Sequence, residues 1–174
     1  MPFAINIKAI NKTARPILDL WDEVGPLEDA PSMPALGYPP HITFAIYDEG
    51  DARDVRSALA IVFARMAPIR LTFAAVNWFD NTPPVLWAAP SPNAQLHDAH
   101  AAIHRLIDPA TCRPNYRPGQ WVPHCTLGTR IAPSHRAAAL ALTQRNIAPF
   151  EVIFDIADAA SFLPVEVIEE RVLS

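Results

Sequence analysis

The sequence predicts an α+β fold made of two lobes that face each other about a pseudo-two-fold axis. Three observations carry this expectation. Strand and helix patterns follow one another along the chain, their order runs through twice, and each run carries the same His-x-Thr motif near its start.

Phe3–Ile10 is a short apolar strand, and Ile17, Leu18 and Trp21 give the helical spacing of a helix over Ala14–Val24. A proline-rich loop, Gly25–Pro40, follows. In His41–Tyr47, the residues Ile42, Phe44 and Ile46 alternate with His41, Thr43 and Ala45, which is the period-2 pattern of a strand. Asp51 is placed to cap a helix reaching Met66, with Val55, Leu59, Val62 and Met66 on one face. Strands Ile69–Phe79 and Val85–Ala89 come next, joined by a turn at Asp80–Pro84. Ser91 and Pro92 read as the N-cap and first residue of a helix that ends near Ile107. After the loop Asp108–Trp121 come a strand at Pro123–Thr129, a helix at His135–Gln144, and strands Phe150–Ala157 and Val165–Val172.

The repeat is close to register. The first copy runs from Pro40-His41-Ile42-Thr43 through a helix to Ala67-Pro68-Ile69, Phe79 and a closing strand. The second runs from Pro123-His124-Cys125-Thr126 through a helix to Ala148-Pro149-Phe150, Phe162 and a closing strand. From His to Pro is 27 residues in one copy and 25 in the other. Two copies at that period are too few and too long for a solenoid, which leaves facing lobes whose matching strands meet at one cleft.

Composition bounds the function classes. With 174 residues, 51% hydrophobic and 18% charged, the chain suits one domain spanning 1–174 and is too apolar to stay disordered. No apolar run approaches the roughly 18 residues of a membrane helix. The first residues lack a signal-peptide pattern, and two cysteines are too few for a disulfide framework, so a cytoplasmic protein is expected. A net charge of −4 argues against non-specific coating of nucleic acid.

The chemistry sits in the motif. On a strand, His and the Thr two residues on share a face, so a two-fold arrangement offers His41, Thr43, His124 and Thr126 to one cleft. Cys125 then points the other way, which argues against a thiol nucleophile. With 6 His and 8 Thr, random placement gives roughly 0.3 such pairs, against two in matched surroundings. A displacement at such a cleft needs a base for the attacking atom and an acid for the leaving one. Imidazole, with a pKa of about 6.5, can serve as either. The Thr hydroxyls are expected to donate to the atoms on which negative charge develops. Arg113, Asn115, Tyr116 and Arg117 precede the second motif and Arg130 follows it, so the surroundings of that motif are basic and aromatic. Tyr38, Trp78 and Phe79 are candidate cleft walls. His97, His100 and His104 invite a metal reading, but positions seven apart lie about 10 Å apart along a helix and cannot all bind one ion. No metal and no cofactor is expected.

Pro40-His41-Ile42-Thr43-Phe44 and Trp121-Val122-Pro123-His124-Cys125-Thr126-Leu127 resemble the paired motifs of the two-histidine (2H) phosphoesterase superfamily, which includes 2′-5′ RNA ligase-like proteins and cyclic nucleotide phosphodiesterases. The resemblance covers the chain from about Phe3 to the final strand. It implies a duplicated bilobal fold with two antiparallel sheets around a central cleft and helices outside. It further implies His41, Thr43, His124 and Thr126 as catalytic residues, with Tyr38, Arg113, Tyr116, Arg117 and Arg130 as substrate-binding candidates. The expected reaction is metal-independent opening of a 2′,3′-cyclic phosphate on a nucleotide or short RNA end, with no obligate protein partner. Reversible 2′-5′ RNA ligation and a non-catalytic nucleotide- or RNA-binding module remain alternatives, as does a cleft serving an unrelated metabolite.

Overall fold

A computed structural model describes residues 2–162 and 164–174. In chain order the elements are β1 (Phe3–Lys8), α1 (Arg15–Val24), β2 (His41–Tyr47), α2 (Ala52–Val62), β3 (Ile69–Phe79) and β4 (Val85–Pro90). Then follow α3 (Ala94–Leu106), β5 (Cys125–Gly128), α4 (Arg136–Leu142), β6 (Phe150–Phe154), β7 (Ile156–Ser161) and β8 (Glu166–Val172). The strands form two antiparallel sheets, ordered β2-β1-β7-β8 and β5-β4-β3-β6. Each His-x-Thr strand is an edge strand. β2 lies beside β1 and β5 lies beside β4, and the two edges touch where the sheets meet.

The amphipathic patterns find their partners across the molecule. Ile17, Leu20, Trp21 and Val24 are the buried stripe of α1, which packs on β5 of the other sheet. Leu96, Ala99 and Ile103 are buried on α3, which packs on β2. Val55, Ala58 and Leu59 bury the inner face of α2 on β1, β7 and β8. In β2, Ile42 and Phe44 are fully buried, as Cys125 and Leu127 are in β5, so the alternation turns each His and Thr to the opposite face.

The α+β class and the duplicated sheets agree with the sequence, but the division between lobes does not follow the repeat. β4, read from the sequence as closing the first lobe, lies in the second sheet in the place that β1 holds in the first. The segment Phe150–Ala157 is two strands, not one. At Asp155 the chain leaves one sheet for the other, and its N–H donates to the Lys8 carbonyl. The two strands read as one because apolar residues continue on both sides of Asp155. Asn93, not Ser91, caps α3 by accepting from Leu96 N–H at 2.9 Å; the Ser91 N–H donates to the Thr72 carbonyl at the end of the hairpin, and α3 begins at Ala94.

Gly128 closes β5 where α1 and the following loop press on it. A Cβ there would stand 2.6 Å from Val24 Cγ1 and 2.9 Å from Glu28 Oε1. That buried carboxylate accepts from the N–H groups of Thr129 and Arg130, both at 2.8 Å, and from Ser32, which fastens the strand end. Gly128→Ala is therefore expected to destabilise the protein by about 1–3 kcal/mol through overpacking, read as a lower urea midpoint at unchanged slope. An unchanged midpoint would contradict this packing account.

Candidate active site

The two motifs are built alike to a depth that the sequence does not show. Each motif strand carries a bulge directly after its Thr. Asn6 pairs with Thr43 and Ile5 with Ala45, which leaves Phe44 extra; Trp87 pairs with Thr126 and Leu86 with Gly128, which leaves Leu127 extra. On each strand an indole then serves the Thr carbonyl. Trp121 Nε1 donates to Thr43 O at 2.9 Å, and Trp21 Nε1 donates to Thr126 O at 3.0 Å. Trp121 precedes the second motif in sequence but holds the first, so the two motifs are tied together.

Each imidazole is held by the carbonyl two residues before it. His41 Nδ1 lies 2.9 Å from Pro39 O, and His124 Nδ1 lies 2.7 Å from Val122 O. A carbonyl only accepts, so in the neutral ring Nδ1 carries the proton and Nε2 keeps a bare lone pair. The prolines at 40 and 123 support this arrangement, since the residue before a proline is confined to extended backbone and its carbonyl is restrained. Burial lowers the pKa of both rings below the ordinary histidine value. The Pro39 and Val122 carbonyls and, for His41, the Asp158 charge act in the opposite direction. Lys8 adds to the lowering at His41, and a charge on His41 adds to it at His124, so the rings sense each other.

Their surroundings differ sharply. Beneath the first motif lies a polar row running strand to strand, Thr43, Asn6, Asp158 and Glu170, each paired with the next in register. Thr43 Oγ1 donates to Asn6 Oδ1 at 2.7 Å, and Asn6 Nδ2 donates to Asp158 at 3.1 Å. The Tyr38 hydroxyl donates to Asp158 at 2.7 Å, and the Tyr38 ring meets His41 edge-on at 4.8 Å. Lys8 bridges Asp158 at 2.7 Å and Glu170 at 3.0 Å. Burial works against its charge, but the two carboxylates outweigh that and hold its pKa above the usual lysine value. Burial and the Asp158 charge likewise keep Tyr38 protonated. Under the second motif the place of Asn6 is taken by Trp87. His124 there meets Phe79 at 5.0 Å and Trp87 at 5.9 Å, both edge-on, and the Thr126 hydroxyl has no hydrogen-bond partner among the described residues.

A cleft of about 420 Å³ brings together His41, Thr43, His124, Thr126, Tyr38 and Tyr116. A second compartment, also of about 420 Å³, adjoins it across His124 and Thr126 and is walled by Phe79, Asn81, Asn115 and Gln120. The arginines are elsewhere. Arg113 pairs with Asp48 at 2.5 Å and lies over the Phe162 ring. Arg117 donates to the carbonyls of Cys112 and Ala110, both at 2.8 Å, and so braces its own loop. Arg130 is exposed, and its side chain lines neither compartment. Trp78 lies outside the cleft under Arg136. Cys125 faces the core, where burial pushes its thiol up to about 12. Among the described residues no group of three His, Cys, Asp or Glu is placed to hold a metal ion, and no helix is long and apolar enough to cross a membrane.

Asn6, Lys8 and Asp158 were not singled out by the sequence. A signal existed in β1, where Asn6 and Lys8 alternate with Ile5 and Ile7 and so share one polar face; nothing local marks Asp158. The α3 histidines are structural. His100 and His104 both point Nε2 at Tyr116 O, at 2.8 and 3.0 Å, and His100 stacks flat on Trp121 at 4.2 Å.

Two sheets that each offer a latched imidazole and a threonine hydroxyl to one cleft are the arrangement expected of the two-histidine phosphoesterase superfamily. Residues 16–160 match the model of the 2′-5′ RNA ligase superfamily, and the chain belongs to that family. Its fold is similar to that of TT0787 from Thermus thermophilus, at 17% identity and a TM-score of 0.65 over 99% of this chain and 98% of that one. It is equally similar to LigT from E. coli complexed with 3′-AMP, at 14% identity and a TM-score of 0.65 over 100% and 99% of the two chains. Comparison with curated protein sequences returns no match.

The clamp on Tyr116 has a pH signature. Burial above all lowers the His100 pKa to about 4, against about 6.5 when unfolded, so the stability it contributes is full above about pH 6.5 and is lost as the pH falls toward 4. The loss runs at up to about 1.4 kcal/mol per pH unit. His100→Gln should flatten the pH dependence of the urea midpoint between pH 7 and 5, and an unchanged slope would contradict the assignment.

Proposed function

We propose that the protein is a metal-independent phosphoesterase that hydrolyses a 2′,3′-cyclic phosphodiester on a nucleotide or short RNA end. The observation that carries this reading is the matched pair of latches, which leaves one bare Nε2 on each side of a single cleft. In-line displacement needs that arrangement. One imidazole takes a proton from water as the new O–P bond forms, and the other gives its proton to the ribose oxygen as the old P–O bond breaks. The unpartnered Thr126 hydroxyl suits a non-bridging oxygen, where charge is held through the transition state. The volume of the main cleft fits a mononucleotide-sized ligand. LigT, which shares the fold, is known with 3′-AMP, the kind of product such a reaction releases.

The test is incubation of the purified protein, in excess EDTA, with the four nucleoside 2′,3′-cyclic monophosphates, with 2′- and 3′-phosphate products separated. Turnover to one isomer is expected, and His41→Ala or His124→Ala should lower it by about 10²–10⁴-fold without unfolding the chain. Full activity in either variant would end the two-histidine mechanism. Because burial lowers both imidazoles, the bell in kcat/KM should centre below about pH 6.5. A profile that is flat from pH 5 to 8 would exclude an acid–base pair of histidines.

The second compartment favours one alternative. With a volume matching that of the first and amide side chains on its walls, it can take a second nucleotide, as cleavage or reversible joining of a 2′-5′ bond requires. A 2′-5′-linked dinucleotide used faster than every cyclic monophosphate would select that reading.

A further inference from the structure

The hydrogen bonds beneath the first motif have a fixed direction, and that direction separates the two threonines. Asp158 is fully buried and its carboxylate oxygens only accept. It receives Lys8 Nζ, the Tyr38 hydroxyl and Asn6 Nδ2, so the Asn6 amide cannot be turned over without setting its oxygen against a carboxylate. Asn6 Oδ1 therefore faces Thr43, and Thr43 must be the donor across that 2.7 Å contact. A hydroxyl has one proton. With it committed to the sheet, Thr43 offers the cleft lone pairs only. Thr126 has no such neighbour, because Trp87 stands where Asn6 stands in the other sheet, and its proton is free.

Resting on the hydrolytic reading above, we propose that Asn6 and Asp158 are positioning residues that make Thr43 an acceptor. Thr43 Oγ1 and His41 Nε2 together hold the attacking water, and Thr126 is the hydroxyl that donates to the phosphoryl oxygen. His41 and Thr43 lie on one strand face, two residues apart, and their acceptors take one proton each of a single water. The oxygen lone pair of that water is left for phosphorus. His41 takes the water proton as the O–P bond forms, and His124 Nε2–H passes its proton to the leaving ribose oxygen. Solvent then returns one proton to His124 and removes one from His41. Two hydroxyls equivalent in sequence thus serve opposite ends of the displacement.

The isosteric variants Thr43→Val and Thr126→Val separate these roles, with inorganic phosphate, 2′-AMP and 3′-AMP as binding probes and a cyclic monophosphate as substrate. Thr43→Val should lower kcat by about 10²-fold and leave product affinity within about 2-fold of wild type. Thr126→Val should weaken product binding by about 10-fold or more, since it removes a hydrogen bond to an anion. Asn6→Ala should copy the Thr43→Val split, a kcat loss without weaker product binding, and the double variant Asn6→Ala/Thr43→Val should lose no more than Thr43→Val alone. Equal weakening of product binding by the two valine variants would overturn the proposal. So would additive losses in the double variant, or failure of wild type to bind any of the three probes. Absent turnover with this contrast in binding intact would sink the hydrolytic reading and leave the direction of the two hydroxyls standing.

Discussion

Everything at this cleft depends on one short contact made twice, the hydrogen bond from a histidine Nδ1 to the carbonyl two residues earlier. It selects the tautomer, fixes the plane of the ring and leaves Nε2 as the working nitrogen. The rest of the local structure supports it. A proline restrains each accepting carbonyl, a bulge follows each Thr, and an indole N–H meets each Thr carbonyl. The packing interlocks the two units, since α1 backs β5 while α3 backs β2, and Trp121 from the second motif holds the first. Neither motif is positioned by its own sheet alone.

Duplication supplies matched parts, and divergence around them supplies different environments. The first sheet runs a polar row from Thr43 to Glu170 with Lys8 set between two carboxylates that would otherwise repel. The second sheet has Trp87 at the place of Asn6 and packs His124 against two aromatic rings. A symmetric pair of imidazoles cannot by itself distinguish the attacking side of phosphorus from the leaving side. An asymmetric pair of supports can, and here the asymmetry reaches the cleft through the direction of a single hydroxyl proton.

The sequence made some of this legible and hid the rest for physical reasons. The strand alternation around Ile42 and Phe44 and around Cys125 and Leu127 correctly put two His-x-Thr motifs on cleft-facing sides, because side-chain direction on a strand is a matter of parity. The repeat announced two related units but not their exchange of strands, since apolar residues continue on both sides of Asp155, where the chain passes between sheets. Arg113 and Arg117 drew attention as cations beside a motif, yet one faces Asp48 and the other faces its own loop carbonyls. Charge near a motif in sequence says little about charge at the cleft. Asp158 was invisible because its importance lies in pairings with residues about 120 to 150 positions away, Tyr38, Asn6 and Lys8.

The most direct test of the central claim is a long-range ¹H–¹⁵N correlation spectrum of the histidine rings above the titration of both groups. The latches predict that His41 and His124 are each the Nδ1–H tautomer, with Nε2 showing the shift of a bare, lone-pair-bearing nitrogen. An Nε2–H tautomer at either position would mean that its Nδ1 is not donating to a carbonyl, and the account of two poised imidazoles would fail.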